Sequence, residues 1–394
     1  MKKLIICLVI AILCLLCYFL LQPIFIYNFG WNPFSVNHKS RNEVIYDSSF
    51  ANSILQAQQF IEDSITLKTP ALSVAVGIDG KLVWDSSTGL ANIDEKIATT
   101  PNTAFRIGST SKAVTSIGLG ILLEQGKLSL DDTIDSNIID KSITIKQLAS
   151  HTSGIRNYGM CFCFPVWEYY SNDEYTSVMK AVEVFNDDPL LFEPGTDFNY
   201  SSYNFTALSA AMEQAAGADF TAFMENNVFH KAGMTNTSFD KQFVNVDKTE
   251  FYDIQTNIYK KAFEVDNSNK WAGGGMLSTP SDLVRLGNAI LTGSIIKHKT
   301  FKTLTTPVKL ANGEVNKQNY ALGWRAHEFD MLDKKVNIVH HGGTATGSTA
   351  LWIIIPEYNL TAAIMINRSV EGFPMFDMLI PIVEYFITDL KANH

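Results

Sequence analysis

The chain has 394 residues, of which 46% are hydrophobic and 18% are charged, and its formal net charge is −9 at pH 7. This composition is typical of a folded globular protein and argues against a disordered chain. The acidic balance, with no basic cluster beyond isolated Lys-Lys pairs, argues against nucleic acid as a partner.

An uncharged apolar run, Leu4–Leu21, opens the chain after Lys2 and Lys3. Its roughly 18 residues at about 1.5 Å each give ~27 Å, close to the hydrocarbon thickness of a bilayer. No A-x-A-like cleavage site follows the run. We therefore expect residues 1–27 to be a membrane anchor, with the positive flank in the cytoplasm and the remaining chain periplasmic or extracellular. Cleavage of the same segment would yield a secreted protein instead.

The next elements are a linker, a helix and a hairpin. Residues 28–49 are rich in Asn, Pro and Ser, which predicts a juxtamembrane linker ahead of one domain at 50–394. A first amphipathic helix is expected over Phe50–Lys68. Two alternating apolar runs then meet at Asp79-Gly80, a dipeptide typical of a tight hairpin turn.

The remainder of the chain is helical and then stranded. A helical pattern begins near Ser109, and the sequence is predicted to form helices and loops as far as about Lys335. Strands are predicted again at Val336–His340, Thr349–Ile355 and Thr361–Ile366, followed by a last helix over Met375–Leu390. This order predicts an α/β (α+β) fold: one antiparallel sheet built from both chain ends and flanked by helices, with an all-helical insert over about 109–335. A ligand groove is expected where sheet and insert meet.

Ser109 and Lys112 form a candidate nucleophile and base. Ser109 lies in the first turn of a predicted helix, where unpaired N–H groups and the helix dipole stabilise negative charge. Lys112 is three residues on, so both side chains leave the same helix face. A lysine whose pKa is depressed by burial can take a proton from a serine hydroxyl. The S-x-x-K pattern alone is weak, because such tetrapeptides are common in helices.

The five cysteines predict neither a disulfide framework nor a metal site. Three lie in the apolar amino-terminal run, while Cys161 and Cys163 are too close in sequence to bridge without strain. No second ligand pair for zinc is near them. The surrounding run, Met160–Trp167, is aromatic and apolar, and two interpretations remain open: core packing, or the wall of an acyl or lipid-like substrate pocket.

Several stretches together fall into one family pattern. They are Phe105–Lys112 (FRIGSTSK), Leu148–Ile155 (LASHTSGI), Phe192–Ser201 (FEPGTDFNYS), Gly233–Thr237 (GMTNT), Ala272–Pro280 (AGGGMLSTP) and His341–Gly347 (HGGTATG). In these motifs, their order and their spacing, the chain resembles the serine β-lactamase-like and penicillin-binding hydrolase superfamily. It is most similar to the branch of class C β-lactamases, DD-peptidases and esterases. The resemblance covers about residues 64–387.

The resemblance implies a β-lactamase/transpeptidase-like fold and a role for each matching residue. Ser109 resembles the acylated nucleophile, Lys112 its buried base, and Tyr200 the tyrosine of the second motif. His341 opens a stretch similar to the third motif, which implies a strand lining the groove. The backbone N–H groups of Ser109 and Thr344 would then form an oxyanion hole.

Two positions depart from the family pattern. The second motif is Tyr200-Ser201-Ser202 where many members have Y-x-N, so the shorter Ser202 is expected to hydrogen-bond Lys112 or a substrate amide. The third motif begins with His341 where β-lactamases have lysine, so a permanent cation for a substrate carboxylate is missing there. Both departures disfavour β-lactamase activity specifically.

The sequence therefore predicts a membrane-anchored serine hydrolase that works through an acyl-Ser109 intermediate. Its catalytic residues would be Ser109, Lys112 and Tyr200, and the residues that bind substrate or its oxyanion would be Ser202, His341, Gly343 and Thr344. The substrate is expected to be an ester or a D-amino-acid peptide before a β-lactam-type amide, and no metal or cofactor is implied. The alternative is a non-catalytic ligand-binding or sensor module on the same fold, and the oligomeric state stays open.

Overall fold

Apolar residues alternate along the first predicted hairpin, and the alternation divides them between two cores. In the strand Ala71–Ile78, Ala71 and Ala75 face one core while Val74 and Val76 face the other. This is the period-two pattern of a strand buried on both faces. The computed structural model describes residues 2–34, 40–64, 69–160, 167–241, 246–369 and 374–392.

Helices and strands are numbered here in chain order. The helices are α1 (Lys2–Asn28), α2 (Ala51–Ser64), α3 (Ser111–Glu124), α4 (Ile145–Ala149), α5 (Val178–Val182), α6 (Ser202–Ala216), α7 (Phe220–Met224), α8 (His230–Ala232), α9 (Trp271–Gly274), α10 (Pro280–Leu291), α11 (His298–Thr305) and α12 (Pro374–Ala392). The strands are β1 (Asn32–Pro33), β2 (Arg41–Ile45), β3 (Ala71–Ile78), β4 (Lys81–Asn92), β5 (Ile97–Ala98), β6 (Phe105–Arg106), β7 (Ser238–Phe239), β8 (Tyr252–Gln255), β9 (Ile258–Lys261), β10 (Met276–Ser278), β11 (Arg325–Met331), β12 (Lys334–Ala345), β13 (Ser348–Ile355) and β14 (Leu360–Ile366).

The main sheet joins both ends of the chain. Within the described ranges its strand order is β11-β12-β13-β14-β3-β4-β2, and neighbouring strands are antiparallel. The helix-rich stretch between β6 and β11 packs on one side of it. The predicted fold class, an antiparallel sheet built from both chain ends and flanked by helices, is confirmed. The insert is not all-helical, however, since β7, β8, β9 and β10 lie within it.

Helices cover both faces of this sheet. On one face, α2 and α12 pack against each other and against the core that contains Val74 and Ile353. On the other face, α10 packs on β3 and β14, and α3 continues the same core into the helical insert. Helix α3 therefore meets β12 at the junction of sheet and insert, where the groove was expected.

Both edge strands of the main sheet lie where other structure was predicted, and so does the short strand β1. Arg41–Ile45 lies in the predicted linker, yet it pairs with β4 as one edge of the main sheet. Arg325–Met331 lies in the stretch predicted to be helical, yet it pairs with β12 as the other edge. Both predictions were wrong for one reason: an edge strand can carry charged and exposed side chains, so it has no apolar alternation. The division into anchor, linker and domain stays a prediction.

The other element boundaries lie close to the predicted ones. Asp79 and Gly80 have φ angles of 50° and 77°, the left-handed values that a tight hairpin turn requires. The helix expected from Phe50 ends at Ser64, and residues 65–68 lie outside the described part. Gly126, at φ 65°, follows the end of α3 as a carboxy-terminal cap.

The amino-terminal helix α1 is apolar and exposed. Among the described residues, Lys2–Gln22 is the one helical stretch long and apolar enough to cross a membrane, with a mean hydropathy of 3.3. Only three residues separate the end of α1 from β1, whose Asn32 and Pro33 pair with Tyr259 and Ile258 of β9. The chain that leaves the helix is thus fastened at once to the β8–β9 hairpin.

Candidate active site

Ser109 lies on a single 3-10 turn, Gly108–Thr110, immediately before α3. Gly108 has a φ of 50°, and a Cβ there would lie 2.6 Å from the carbonyl oxygen of Thr344 in β12. Glycine therefore allows both the left-handed backbone and the close approach of the turn to the strand. The turn that carries Ser109 therefore lies in direct backbone contact with the sheet.

The hydroxyl groups around Ser109 fasten this turn to its surroundings. Thr110 donates to the His341 carbonyl at 3.1 Å, and Ser111 accepts from the N–H of Met276 at 3.3 Å. Farther along α3, Thr115 and Ser116 donate to backbone carbonyls of neighbouring segments. The hydroxyl-rich sequence thus serves positioning, while the Ser109 side chain stays partly exposed.

Lys112 is fully buried among oxygen atoms, which include the Tyr200 hydroxyl. Its Nζ lies 3.1 Å from Ser109 Oγ, 3.0 Å from Ser202 Oγ and 2.5 Å from the Gly273 carbonyl oxygen. Burial lowers the pKa of Lys112, and Arg325 adds to the effect, although Tyr200 opposes it. In the neutral amine, two N–H bonds can point at Ser202 and Gly273, which leaves the lone pair for the Ser109 proton.

Tyr200 stands over the same lysine. Lys112 Nζ lies 4.9 Å from the centre of its ring, and the guanidinium of Arg325 lies 5.3 Å from it. Burial by itself would raise the pKa of Tyr200, but Lys112, Arg325 and a hydrogen bond from Ser109 lower it below its usual range. The ring also packs against buried His151, at 4.3 Å between ring centres. Ser109, Lys112 and Tyr200 are therefore brought together as the sequence predicted.

Ser202 begins α6 and connects Lys112 to residues that the sequence had not indicated. Its backbone N–H donates to Asn157 Oδ1 at 3.0 Å, and its hydroxyl is hydrogen-bonded with the buried Tyr158 phenol. Since the same hydroxyl accepts from Lys112, Ser202 fixes the lysine without facing the cavity. Contact between Ser202 and a substrate amide stays a prediction.

Gly343 and Thr344 lie along β12 beside the nucleophile. β11 pairs with β12 only as far as His340, so the edge of β12 beyond that residue has no strand partner in the described chain. A Cβ on Gly343 would lie 2.8 Å from the backbone nitrogen of Ser109. The backbones of β12 and the nucleophile turn therefore touch, as an oxyanion site between Ser109 and Thr344 requires.

His341 is buried behind the cavity. Its Nδ1 pairs with the Gly342 carbonyl at 2.7 Å, and its Nε2 faces the Tyr320 hydroxyl at 3.0 Å. Burial, with Arg325 and Lys112 nearby, lowers the pKa of His341 well below its usual range. The imidazole is therefore neutral at pH 7, and its Nε2 accepts a hydrogen bond from the Tyr320 hydroxyl. Substrate contact by His341 stays a prediction, and its described contacts are structural.

Arg325 supplies a cation that the sequence analysis missed. Its guanidinium donates to Gln318 Oε1 at 2.7 Å and reaches His341 Nε2 at 3.4 Å. No described carboxylate lies within ion-pair distance of it. It lies on the edge strand β11, which shows no strand pattern, so no sequence signal connects it with Ser109.

These residues surround one cavity of about 260 Å³. Its catalytic side is lined by Ser109, Tyr200, Arg325, Gly343 and Thr344. Within the ranges that the structure describes, no group of three or more His, Cys, Asp or Glu is placed to hold a metal ion. The arrangement brings together a serine hydroxyl, a buried amine with a lowered pKa, two adjoining backbone segments and a guanidinium, a set of groups that suits acyl transfer to serine.

Comparison with known proteins identifies the family. The model of the β-lactamase family matches residues 57–383. The chain belongs to the β-lactamase family. The match contains both sides of the cavity and the whole main sheet except β2.

Curated relatives of this β-lactamase-family chain come from animals and bacteria. The human mitochondrial serine β-lactamase-like protein LACTB is 27% identical over 383 residues, covering 73% of this chain and 69% of the relative. Penicillin-binding protein 4* of Bacillus subtilis is 25% identical over 308 residues, covering 74% of this chain and 66% of the relative.

Solved structures support the β-lactamase fold. D-amino acid amidase from Ochrobactrum anthropi, in complex with D-phenylalanine, superposes with a TM-score of 0.72 at 18% identity, covering 88% of this chain and 100% of that one. The octameric penicillin-binding protein homologue from Pyrococcus abyssi gives a TM-score of 0.67 at 21% identity, covering 86% and 77%. Family and neighbours together support a serine hydrolase of the β-lactamase fold.

The apolar run Met160–Trp167 of this β-lactamase-family chain is described only at its two ends. Residues 161–166, which include Cys161 and Cys163, lie outside the described ranges. The flanking Met160 and Trp167 are exposed, at 67% and 41%. The choice between core packing and a pocket wall for this run therefore stays open.

Proposed function

We propose that the chain is a serine hydrolase that forms and then hydrolyses an acyl-Ser109 intermediate. The observation that carries the proposal is the buried Lys112 amine, 3.1 Å from Ser109 Oγ and with a lowered pKa. A surface lysine would be protonated at neutral pH and could not serve as a base. Its contacts with Ser202 and Gly273 leave the amine a direction in which to accept a proton.

Acylation follows from this geometry. Ser109 Oγ attacks the carbonyl carbon of the substrate while its proton passes to Lys112, with Tyr200 sharing the charge. The developing oxyanion is held by the backbone N–H groups of Ser109 and Thr344. The proton then reaches the leaving atom, and water later attacks the ester and restores Ser109.

Arg325 supports a substrate that carries a carboxylate. Its guanidinium lines the cavity beside Tyr200 and has no acidic partner in the described chain. Arginine binds a carboxylate through two parallel hydrogen bonds. The cation that His341 does not provide is thus available from the neighbouring strand. We favour an ester or a D-amino-acid peptide with a free carboxylate, with a β-lactam-type amide as the less favoured substrate.

The first experiment tests the nucleophile. The full chain in detergent is treated with a fluorophosphonate, and the adduct is located by intact-mass spectrometry and peptide mapping. The expected result is one adduct on Ser109, which is lost in Ser109→Ala and Lys112→Ala. Ser111→Ala is the matched control, because it removes a nearby hydroxyl at the start of α3 whose described partner is the Met276 N–H and not Lys112. A folded protein without an adduct would favour the alternative, a non-catalytic binding module.

A second experiment tests the carboxylate. Two esters with the same acyl and leaving atoms, one anionic and one neutral, are compared in the wild type, Arg325→Lys and Arg325→Gln. We expect Arg325→Gln to lower the anionic-to-neutral ratio of kcat/KM by about 10²-fold, and Arg325→Lys to retain part of it. The ratio is decisive, since Arg325 also affects the pKa values of Lys112 and Tyr200. An unchanged ratio would remove the carboxylate from the proposal.

The location of the enzyme is part of the proposal. An exposed apolar helix and the lysines before it support a single amino-terminal anchor, with the catalytic domain outside the cytoplasmic membrane. A cleaved signal sequence would give a secreted enzyme. Amino-terminal sequencing of the mature protein from membranes distinguishes the two.

A further inference from the structure

A second cavity lies where the amino-terminal helix α1 joins the domain. It has a volume of about 370 Å³, and its walls include Phe29, Asp94, Lys260, Lys261 and Phe263. Pockets that bind small ligands have volumes of about 300–1,000 Å³. None of its described lining residues belongs to the cavity at Ser109, so it is a separate site, which we call the juxtamembrane pocket.

The length of α1 places the juxtamembrane pocket at the level of lipid headgroups. The 21 residues Lys2–Gln22 span about 32 Å, close to a hydrocarbon core of about 30 Å. Helix α1 then continues to Asn28, which adds about 9 Å and crosses a headgroup layer of about 5–8 Å. With α1 in a bilayer, the residues that follow it therefore lie beside the headgroups of the non-cytoplasmic leaflet.

Backbone contacts fix the two sides of this pocket to each other. Gly30 has a φ of 82°, which turns the chain from α1 into β1, and β1 pairs with β9. Phe34 then donates its N–H to the Asn257 carbonyl at 2.7 Å. Since Lys260 and Lys261 belong to β9, the fold itself holds them beside the end of α1.

Lys260 is a cation with little access to water. Its side chain is only 8% exposed, its Nζ lies 4.9 Å from the centre of the Trp31 ring, and Asp253 Oδ2 is 3.8 Å away. Burial lowers the pKa of Lys260, while Asp253 acts against this shift. A desolvated ammonium is stabilised by an anion that approaches it closely. A phosphate in the pocket would supply that anion.

Lys261 and Asp94 both line the pocket, and they form no close contact with each other. Lys261 Nζ lies 3.8 Å from Asp94 Oδ2 and 3.5 Å from Glu250 Oε2, whereas a strong charge-assisted hydrogen bond measures about 2.7–2.9 Å. Tyr259 donates to Asp94 Oδ1 at 2.6 Å, so the carboxylate is oriented. An ionised carboxylate accepts up to about four hydrogen bonds, which leaves Asp94 able to accept from a ligand ammonium.

The charges around the pocket favour a headgroup that carries both signs. The two lysines, Lys260 and Lys261, lie near the carboxylates of Asp94, Glu250 and Asp253. A purely anionic headgroup would be attracted by the lysines and repelled by the carboxylates. A zwitterionic headgroup presents its phosphate to the lysines and its ammonium to Asp94.

An apolar surface leads from the pocket along α1. Phe29 lines the pocket, is 62% exposed, and stacks on Phe25, itself 59% exposed, with 5.3 Å between ring centres. Covering such rings with acyl chains removes apolar surface from water, which is favourable. A soluble zwitterion in the pocket would leave both rings in water. The occupant that matches the pocket and this surface together is a phospholipid.

We infer that the juxtamembrane pocket binds the headgroup of one zwitterionic phospholipid, with Lys260 and Lys261 on its phosphate and Asp94 on its ammonium. The inference goes beyond the proposed hydrolysis and rests on the proposed anchor. A primary ammonium donates hydrogen bonds to Asp94, whereas a trimethylammonium has no N–H to donate. Ethanolamine is therefore preferred to choline. A lipid held in this way fixes the rotation of the domain about α1 at the membrane surface.

The test measures lipid binding to the full chain by native mass spectrometry from detergent. Phosphatidylethanolamine, phosphatidylcholine and phosphatidylglycerol with identical acyl chains are titrated one at a time, so that only the headgroup differs. We expect one phosphatidylethanolamine per chain to bind at least about tenfold more tightly than either of the other lipids. Soluble glycerophosphoethanolamine at the same concentration should not displace it, because it lacks acyl chains.

Two exposed lysines provide matched variants. Lys261 and Lys335 are 54% and 65% exposed, and each has a carboxylate oxygen 3.5 Å away. Lys261→Gln should weaken phosphatidylethanolamine binding at least about fivefold, whereas Lys335→Gln, outside the pocket, should leave it unchanged. Asp94→Asn should bring phosphatidylethanolamine and phosphatidylcholine to within about twofold of each other, because a neutral amide does not pair with the ammonium. Lys261 and Asp94 are half-exposed, so neither change threatens the fold.

The outcomes separate this inference from the proposed function. Equal affinities for the three lipids, a preference for phosphatidylglycerol, or equal effects of Lys261→Gln and Lys335→Gln would overturn the headgroup site. Displacement by the soluble headgroup would assign the pocket to a soluble ligand and overturn the lipid. Fluorophosphonate labelling of Ser109 in the same preparation reports the hydrolase separately. Amino-terminal sequencing that finds the anchor cleaved from the mature protein would overturn this inference and leave the hydrolase intact.

Discussion

The Gly343 backbone packs directly against the Ile107 carbonyl: a Cβ on Gly343 would lie 1.9 Å from the Ile107 oxygen. No side chain fits that distance, and the neighbouring atom belongs to the backbone, which cannot rotate away. This contact sets how closely β12 approaches the turn that carries Ser109. The anion site between strand and turn depends on it.

Replacing that glycine should therefore damage the site and the fold together. We expect Gly343→Ala to lower the rate of Ser109 labelling by at least about 10²-fold, since the backbone donors separate. The free energy of unfolding should fall by about 1–3 kcal/mol. Gly342→Ala is the control for stability, because its Cβ would meet nothing closer than 3.8 Å. A Gly343→Ala variant that labels at the wild-type rate would contradict the role of this contact.

Lys112 should give the enzyme a characteristic pH dependence. Burial lowers its pKa, so the Ser109 labelling rate should rise with pH and level off below the ordinary lysine pKa of about 10.4. Lys112→Met should fold, because the rings of Tyr200 and Phe205 can pack against the methionine. It should label at least about 10²-fold more slowly, because the base is lost. A flat profile in the wild type, or an unchanged one in Lys112→Met, would argue against this base.

The same lysine should affect stability in a defined direction. Between its lowered folded pKa and the ordinary unfolded value, the unfolded state binds one more proton. The free energy of unfolding should therefore rise with pH over that window, and Lys112→Met should remove this part of the slope. Chemical denaturation at several pH values between neutral and the ordinary lysine pKa measures it.

A buried ion pair lies behind the nucleophile turn. Arg106 Nε contacts Asp240 Oδ2 at 2.6 Å, with side chains only 9% and 4% exposed. Asp240→Asn leaves a buried guanidinium without its partner, so we expect a loss of about 3–5 kcal/mol in the free energy of unfolding. The double variant Arg106→Met with Asp240→Asn should cost less than the sum of the single changes. Additivity to within about 0.5 kcal/mol would contradict the coupling.

Asp85 should make the protein less stable as the pH rises toward 8. It accepts a hydrogen bond from the Ser281 hydroxyl, and burial raises its pKa to about 8, against Arg285 and with a contribution from Asp282. Below about pH 4 the acid is protonated in both states; above it the unfolded state loses the proton first. The free energy of unfolding should then fall by up to about 1.4 kcal/mol per pH unit.

Asp85→Asn tests that slope. It keeps the shape of the protonated acid and should flatten the pH dependence between pH 5 and 8, measured by urea unfolding. Asp330→Asn is the control, since that side chain is 84% exposed, and it should keep the wild-type slope. Equal slopes in wild type and Asp85→Asn would show that Asp85 ionises freely in the fold.

The spacing of apolar residues predicted the helices and strands that are buried on one face or on both faces. The hairpin at Asp79 and the strands after Val336 have apolar runs bounded by turn residues, and the structure has them within a few positions. The edge strands β2 and β11 were missed, because an edge is stabilised by backbone hydrogen bonds and keeps polar side chains. Nothing in Arg41–Ile45 requires burial, and four of its five residues are exposed.

The residues of the candidate site also fall into two groups: those that a local sequence pattern predicts and those that only the folded chain brings together. Ser109 and Lys112 are linked by helical spacing, which a sequence displays directly. Arg325 and His340 become neighbours only through the register of β11 on β12, which no local pattern encodes. His340 directly precedes the third motif, and nothing in the sequence around it indicates a chemical role. Its burial beside the cavity, without a hydrogen-bond partner, emerges only once α12 is packed on the sheet.

The short connection after α1 limits where this enzyme can work. With α1 in a bilayer, residues 29–31 allow at most roughly 10 Å before the chain is pinned to β9. The catalytic domain would then diffuse laterally with its anchor and would have no tether long enough to sample the surrounding fluid. Its encounters with substrate would be a two-dimensional search, in which a molecule that partitions into the same membrane surface is met far more often than one in free solution.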